Sequence, residues 1–276
     1  MLQLQSHHIV DLYCWVDDNL PHKDSSKGGR PSIITDSELI TLLIWNVIVL
    51  HQKTIRDIFI FASTYLDHEF PNLPKYNAFV KQCHRVAPYM LFLLQRLLCH
   101  NEPLRFADST MLPVCANHRA DTYKVAKTSA SFGKNHQGWY YGFKLHATTN
   151  IEGQICSLYF SGAHFYDAQA LPLLVNRSTD ILVGDTLYGA SVMRRKINKI
   201  FGTKIISPPW PKQKKKIATP FQNFLLSERT RIESVFGILK NQLQLVTSFP
   251  RSLMGYLFHY IRILLGYQII ALIKQN

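Results

Sequence analysis

Three acids in this 276-residue chain stand where chemistry on a phosphodiester could be done. Asp108 lies in Phe-Ala-Asp-Ser-Thr, Asp185 in Val-Gly-Asp-Thr-Leu-Tyr-Gly, and Glu233 in Arg-Ile-Glu-Ser-Val-Phe-Gly-Ile-Leu-Lys. A phosphodiester repels anionic nucleophiles, and its leaving oxygen must take up charge. Two divalent cations about 3.5–4 Å apart answer both problems, one activating the nucleophile and one stabilising the leaving group. Such ions take hard oxygen ligands, so carboxylates from separate elements have to converge on one edge of the fold. Asp185 closes an apolar stretch, Ile-Leu-Val-Gly, which places it at the carboxyl end of a strand, where open α/β sheets bind their ligands.

Around Glu233 the spacing is the most telling. At about 100° per residue, Arg229 and Lys240 fall within roughly 40° of Glu233 on a helical wheel. Ile232, Val235, Leu239 and Leu243 form an apolar stripe alongside. One edge of that helix therefore presents cation, carboxylate, cation, which suits a metal ligand flanked by phosphate-binding groups. The same residues also read as a solvated face stabilised by Arg229–Glu233 pairing at i,i+4. Asp167 reads first as a helix N-cap and second as an acid near the site, and His146 and Lys144 face one side of a strand, where a satisfied structural histidine is read ahead of contact with the site.

The elements that must position these groups follow from periodicity and punctuation. Residues 1–100 read as helical. Thr35, Asp36 and Ser37 precede Glu38 and an apolar run, a helix start. A second helix spans Thr54 to Tyr65, a third Tyr76 to Arg85 with Lys81, His84 and Arg85, and Pro88 opens a fourth that ends near Leu98. Short helices with a basic third one suit a helix-turn-helix-like DNA-binding region, and equally a plain helical bundle. From residue 101 the texture changes. Strands are expected at Arg105–Val114, at Trp139–Thr149 paired as a hairpin with Gln154–Gly162, at Asp180–Asp185 and at Thr203–Ser207. Helices are expected from Asp167 to Leu174, Ser191 to Phe201, Pro220 to Leu245 and Leu253 to Lys274. That order matches an α/β, ribonuclease-H-like mixed sheet flanked by helices, here residues 101–276, with a basic insertion at about 114–138 and a C-terminal helix.

Lys and Arg outnumber Asp and Glu by 31 to 18, for a formal charge of +13, which points to a polyanionic partner. Between Thr186 and Ser227 there is no acid, while Arg194, Arg195, Lys196, Lys199, Lys204, Lys212, Lys214, Lys215 and Lys216 supply cations and Trp210 a ring able to stack on an unpaired base. The insertion adds Arg119, Lys124, Lys127 and Lys134. The five cysteines are scattered, without a Cys-x-x-Cys pair, which disfavours disulfides and zinc ribbons and suits a reducing cytosol. No secretory signal is read at the start. Leu253–Ile273 carries His259, Arg262 and Gln268 and reads as a core helix, so no membrane partner is expected. Gly133 and Gly138 space like a phosphate-binding loop, but Trp139 follows instead of Lys, so no nucleotide cofactor is expected.

Asp-Ser-Thr in the first strand, Gly-Trp-Tyr-Tyr-Gly-Phe-Lys-Leu-His in the next and Gly-Asp-Thr-Leu-Tyr-Gly later resemble the DDE transposases of bacterial insertion sequences. So does the spacing Arg-x3-Glu-x6-Lys at Arg229, Glu233 and Lys240. The insertion-sequence 982 group is the most similar, although Leu226 stands where related groups carry Tyr. The resemblance covers nearly the whole chain. It implies that Asp108, Asp185 and Glu233 bind two Mg²⁺ ions, with Mn²⁺ able to substitute, and that Lys240 assists DNA binding. The expected activity is cleavage at transposon ends and transfer of the 3′-hydroxyls into target DNA. The expected partners are terminal inverted repeats and target DNA, bound by a homodimer in the bacterial cytoplasm at the nucleoid. Two alternatives remain open at this point: a ribonuclease-H-like nuclease that cuts without joining, and an inactive DNA-binding remnant.

Overall fold

The computed structural model describes residues 8–21, 32–135, 138–189, 191–209 and 219–273, and the chain divides into two compact units. One unit holds the N-terminal helices together with the chain's last helix. Its elements are α1 (Ile9–Asn19), α2 (Asp36–Trp45), α3 (Ile55–Tyr65), α4 (Tyr76–Leu97) and α9 (Leu253–Ile273). Two of these starts follow directly from sequence. Thr35 and Thr54 each cap their helix in a reciprocal box, Thr35 with Glu38 and Thr54 with Asp57, satisfying donors that a helix start leaves free. After Trp45 the chain loosens into a π turn, Asn46–Leu50, and leaves through His51 in the left-handed region.

Two expectations in this unit are corrected. Pro88 does not open a separate helix; it sits inside α4, which runs unbroken from Tyr76 to Leu97. An interior proline removes a backbone donor and costs about 3 kcal/mol. Here Phe79, Cys83, Val86, Ala87, Met90, Leu93, Leu94 and Leu97 are buried along one continuous stripe, which outweighs that cost. The last helix, read above as an appendage of the sheet region, packs instead against α4 and α2. It is long and apolar enough to cross a membrane, but most of it is buried among its neighbours. Within it Arg262 is fully buried, with Nη1 and Nη2 3.4 Å from Asn46 Oδ1 and the Gln52 carbonyl. On the basic helix α4, Arg85 is tied to Asp36 at 2.6 Å, whereas Lys81 is exposed.

The other unit is the sheet region, Leu98–Lys240 with Val246–Ser248. Its strands are β1 (Leu104–Cys115), β2 (Ser131–Asn135), β3 (Gly138–Thr149), β4 (Ile155–Gly162), β5 (Ile181–Val183) and β6 (Lys204–Ile206). Their order is β2-β3-β1-β5-β6, and β4 pairs with β3 beside β2. The first four strands pair antiparallel, and β1, β5 and β6 run parallel. Helices α5 (Asp167–Leu174) and α6 (Ser191–Phe201) supply the crossovers, and α7 (Pro220–Glu228) and α8 (Thr230–Gly237) follow. This is a mixed, ribonuclease-H-like α/β architecture preceded by helices.

Three local differences from expectation matter for the site. β2 was hidden in the basic insertion because Ser-Phe-Gly-Lys-Asn is polar and glycine-containing; it forms by adding to the edge of β3. The helix expected over Pro220–Leu245 is broken at Arg229, and the stretch Ile238–Gln242 widens into a π turn. Asp185 lies two residues past β5 rather than inside the strand.

Close packing in this unit has a test. A methyl group on Gly142 in β3 would run into the backbone carbonyl of Leu112 and the Cα of Pro113, neither of which can swing away. Gly142→Ala should destabilise the protein by about 1–3 kcal/mol, the cost of overpacking, seen as a lower urea midpoint. An unchanged midpoint would mean that β1 and β3 are not this close.

Candidate active site

Asp108 and Asp185 are brought together by strand register. Phe106 pairs with Val183 across the parallel β1–β5 ladder, and Asp108 and Asp185 each lie two residues further along. Both carboxylates are half-buried. Burial pushes the Asp108 carboxyl up to about 6; the Ser109 N–H and Arg229 favour its charge, while Asp185 and Asp167 oppose it. Asp185 is raised too, by burial first and by the charge of Asp167, although the Leu187 N–H donates to its Oδ1 at 2.8 Å.

Glu233 is placed differently. It lies on α8, which packs against β1, but its carboxylate is about half exposed and accepts from Arg229 Nη2 at 2.6 Å. Arg229, at the helix break, is also within electrostatic reach of Asp108 and Asp185. Lys240 is lowered by burial, an effect partly offset by Asp108. The two cations of the Arg229–Glu233–Lys240 face therefore do attend the buried acids. Among the described residues, no three His, Cys, Asp or Glu side chains are gathered closely enough to hold a metal ion. The donor set is nevertheless right in kind: Asp108 and Asp185 are hard-oxygen donors whose charge is incompletely compensated, and they could serve a hard divalent cation.

The residue that sequence reasoning undervalued is Asp167. It does not cap α5, since Tyr166 occupies that position and Asp167 is the first residue of the helix. Its carboxylate instead reaches the sheet: Oδ1 is 3.4 Å from Lys144 Nζ and 3.3 Å from His146 Nδ1, and it accepts from the Ser109 side chain. Burial disfavours its charge, but these partners outweigh burial and hold its pKa below the usual carboxylate range. His146 is fully buried and reaches Ser161 Oγ at 3.0 Å through Nε2, and Lys144 also donates to the Phe165 carbonyl at 3.0 Å. Ser109 and His146 are directly paired across β1 and β3, so they share the sheet face opposite to Asp108. Asp167 thus grips the back of the strand whose front carries Asp108. The available signal was the i,i+2 pair Lys144 and His146, two polar groups on one face of a central strand.

Tyr188 completes the group. It belongs to the core cluster of Ala107, Leu171, Val175, Leu182, Ile197 and Ile205. Its pKa is raised well above the ordinary value by burial and by Asp167, Asp108 and Asp185. Among the described residues its hydroxyl has no hydrogen-bond partner. Of the other expected DNA contacts, Arg194 and Arg195 are exposed on α6, and Arg194 donates to Ser207 Oγ at 2.9 Å. Trp210, Lys212, Lys214, Lys215 and Lys216 lie outside the described residues.

Residues 99–253, more than half of the chain, match the family model of the transposase DDE domain. The chain belongs to that family, and it is a transposase whose substrate class is DNA. No curated protein matches it.

A buried, poorly compensated carboxylate has a cost that can be measured. The native state holds the Asp108 proton more tightly than the unfolded chain, whose carboxyl has the ordinary value of 3.8. Native stability from this group is therefore lost as pH rises through the window from 3.8 to about 6. In EDTA, Asp108→Asn should match wild type near pH 3.5 and exceed it by up to about 3 kcal/mol at pH 7. Urea unfolding at the two pH values checks this; a variant that is less stable at pH 7 contradicts the reading.

Proposed function

We propose that this transposase cleaves DNA at the ends of its element and joins the freed 3′-hydroxyls to target DNA, with Asp108, Asp185 and Glu233 as the metal-binding acids. The observation that supports this reading is that half-buried Asp108 and Asp185 lie just past the end of the parallel β1–β5 ladder, with Arg229 and Lys240 in electrostatic reach. Bound Mg²⁺, with Mn²⁺ able to replace it, would supply an activated water or hydroxyl and neutralise the leaving oxygen. The protein's own part is to fix the acids and to receive the phosphate. Arg229 bonds Glu233 in the free protein. An incoming phosphate competes for that guanidinium and releases Glu233 towards Asp108 and Asp185, so the acid set is completed by substrate. Lys240 adds a second cation on the same side. Asp167, with Lys144, His146 and Ser109, holds β1 in place and is a positioning residue.

The rest of the chain is assigned by charge. α6 with Arg194 and Arg195, and the lysine-rich segment at 212–216 with Trp210, track the DNA backbone. The helical unit reads the terminal repeats, a homodimer pairs the two ends, and the work is done at the bacterial nucleoid.

Incubating the protein with labelled DNA that carries the element's ends tests the assignment. Mg²⁺ should give cleaved and joined products, and EDTA neither. Glu233→Gln should slow cleavage roughly hundredfold or more, since a metal ligand contributes several kcal/mol to the barrier, while DNA binding persists. Wild-type cleavage by Glu233→Gln would remove Glu233 from the site. Cleavage without any joined product would favour a plain nuclease.

A further inference from the structure

The edge hairpin β2–β3 carries an exposed face that the proposed chemistry does not use. Phe132 pairs across the ladder with Tyr141, and Lys134 with Trp139, so these four side chains share one face. The other face is turned inward, since a methyl group on Gly133 would meet the Ala163 backbone and one on Gly142 the Leu112 backbone. Trp139 is nevertheless 60% exposed and Phe132 42%. Edge strands ordinarily guard themselves with charge, and large exposed rings on them carry a cost in solubility. Here a cation is built in beside the rings: Lys134 Nζ sits 5.7 Å from the Trp139 ring centre, and the Phe132 and Tyr141 rings are 5.1 Å apart.

The adjoining turn adds to this. Asn117 Nδ2 donates to the Trp139 carbonyl at 2.6 Å, which fixes the start of β3 against the turn Asn117–Thr122. That turn exposes Arg119, and Lys124 and Lys127 follow. Between Asp108 and Glu152 the sequence has one acid, Asp121, against Arg119, Lys124, Lys127, Lys134 and Lys144. Flat rings flanked by cations match a nucleobase flanked by phosphates. Base–aromatic stacking needs a ring face, which paired bases inside a duplex do not offer.

We propose that Phe132, Lys134 and Trp139 form a binding site for unpaired DNA, in which a base stacks on Trp139 and the neighbouring phosphate pairs with Lys134. This rests on the DNA-processing reading above, whose cleaved ends supply single strands.

The test is fluorescence anisotropy with a labelled oligothymidylate and with a duplex of equal length, at one fixed salt concentration. Trp139→Ala should weaken single-strand binding roughly tenfold and leave duplex binding unchanged. Trp139→Phe keeps a ring face and should recover most of the loss, which a merely structural effect would not do. Ultraviolet crosslinking of 5-iodouridine oligonucleotides should label the peptide containing Trp139. Wild-type single-strand affinity in Trp139→Ala, or crosslinks confined to other peptides, would overturn the site while leaving the transposase reading standing. Loss of a dimer by Trp139→Ala in sedimentation, with single-strand affinity intact, would assign the face to a second copy of this chain and would also overturn it. If the wild-type protein binds neither DNA, both readings fall.

Discussion

Two half-buried acids set side by side by strand register are the constraint around which the sheet region is organised. Asp108 and Asp185 sit two residues beyond a paired position of adjacent parallel strands, and burial raises both. Like charges in a region of low dielectric repel, and the fold tolerates them only because the surrounding structure over-determines their position. Arg229 and Lys240 relieve part of the repulsion. In the proposed function, the remainder would favour a divalent cation and the phosphate it accompanies. On that proposal, stability is given up so that charge is already in place when substrate arrives.

Holding such a pair requires a stiff frame, and the frame is visible residue by residue. At the start of β1, the fully buried Arg105 donates to the carbonyls of Glu102, His100 and Leu174 and to Asn176 Oδ1, tying the strand to the end of α5. Its planar fork serves these four acceptors at once, more than the three donors of a lysine allow. At the other end of α5, Asp167 clamps Lys144, His146 and Ser109 on the back of β1 and β3. Between these two anchors, Leu171, Val175, Leu182, Ile197 and Ile205 pack against Ala107 and Tyr188. The front of β1 is thereby left to the acids.

Much of this was legible in the sequence where a local rule decides the outcome. The capping threonines, Thr35 and Thr54, set helix starts because the orphan donors they satisfy lie within three residues. The hairpin of β3 and β4 followed from alternation on either side of Asn150–Gly153. What escaped notice depended on partners distant in sequence. β2 exists only because β3 offers an edge, and Pro88 remains helical only because the stripe along α4 is buried. At Arg229 the helix breaks where periodicity alone called for continuity, and the guanidinium there pairs with Glu233 while its charge is felt by Asp108 and Asp185. Asp167 looked like a cap because its true partners, Lys144 and His146, are some twenty positions away on a strand. The three carboxylates were singled out by their settings and their resemblance to a family; the network around Asp167 needed three dimensions.

The proposed chemistry requires Asp108, Asp185 and Glu233 to face one divalent-metal site. Fe²⁺ takes oxygen ligands as Mg²⁺ does, and with ascorbate and peroxide it cuts the polypeptide next to wherever it is bound. With DNA present, cuts should cluster beside residues 108, 185 and 233, be suppressed by excess Mg²⁺ and be lost at all three positions in Asp108→Asn. Cuts elsewhere in the chain, or cuts at 108 and 185 with none near 233 when DNA is bound, would contradict that requirement.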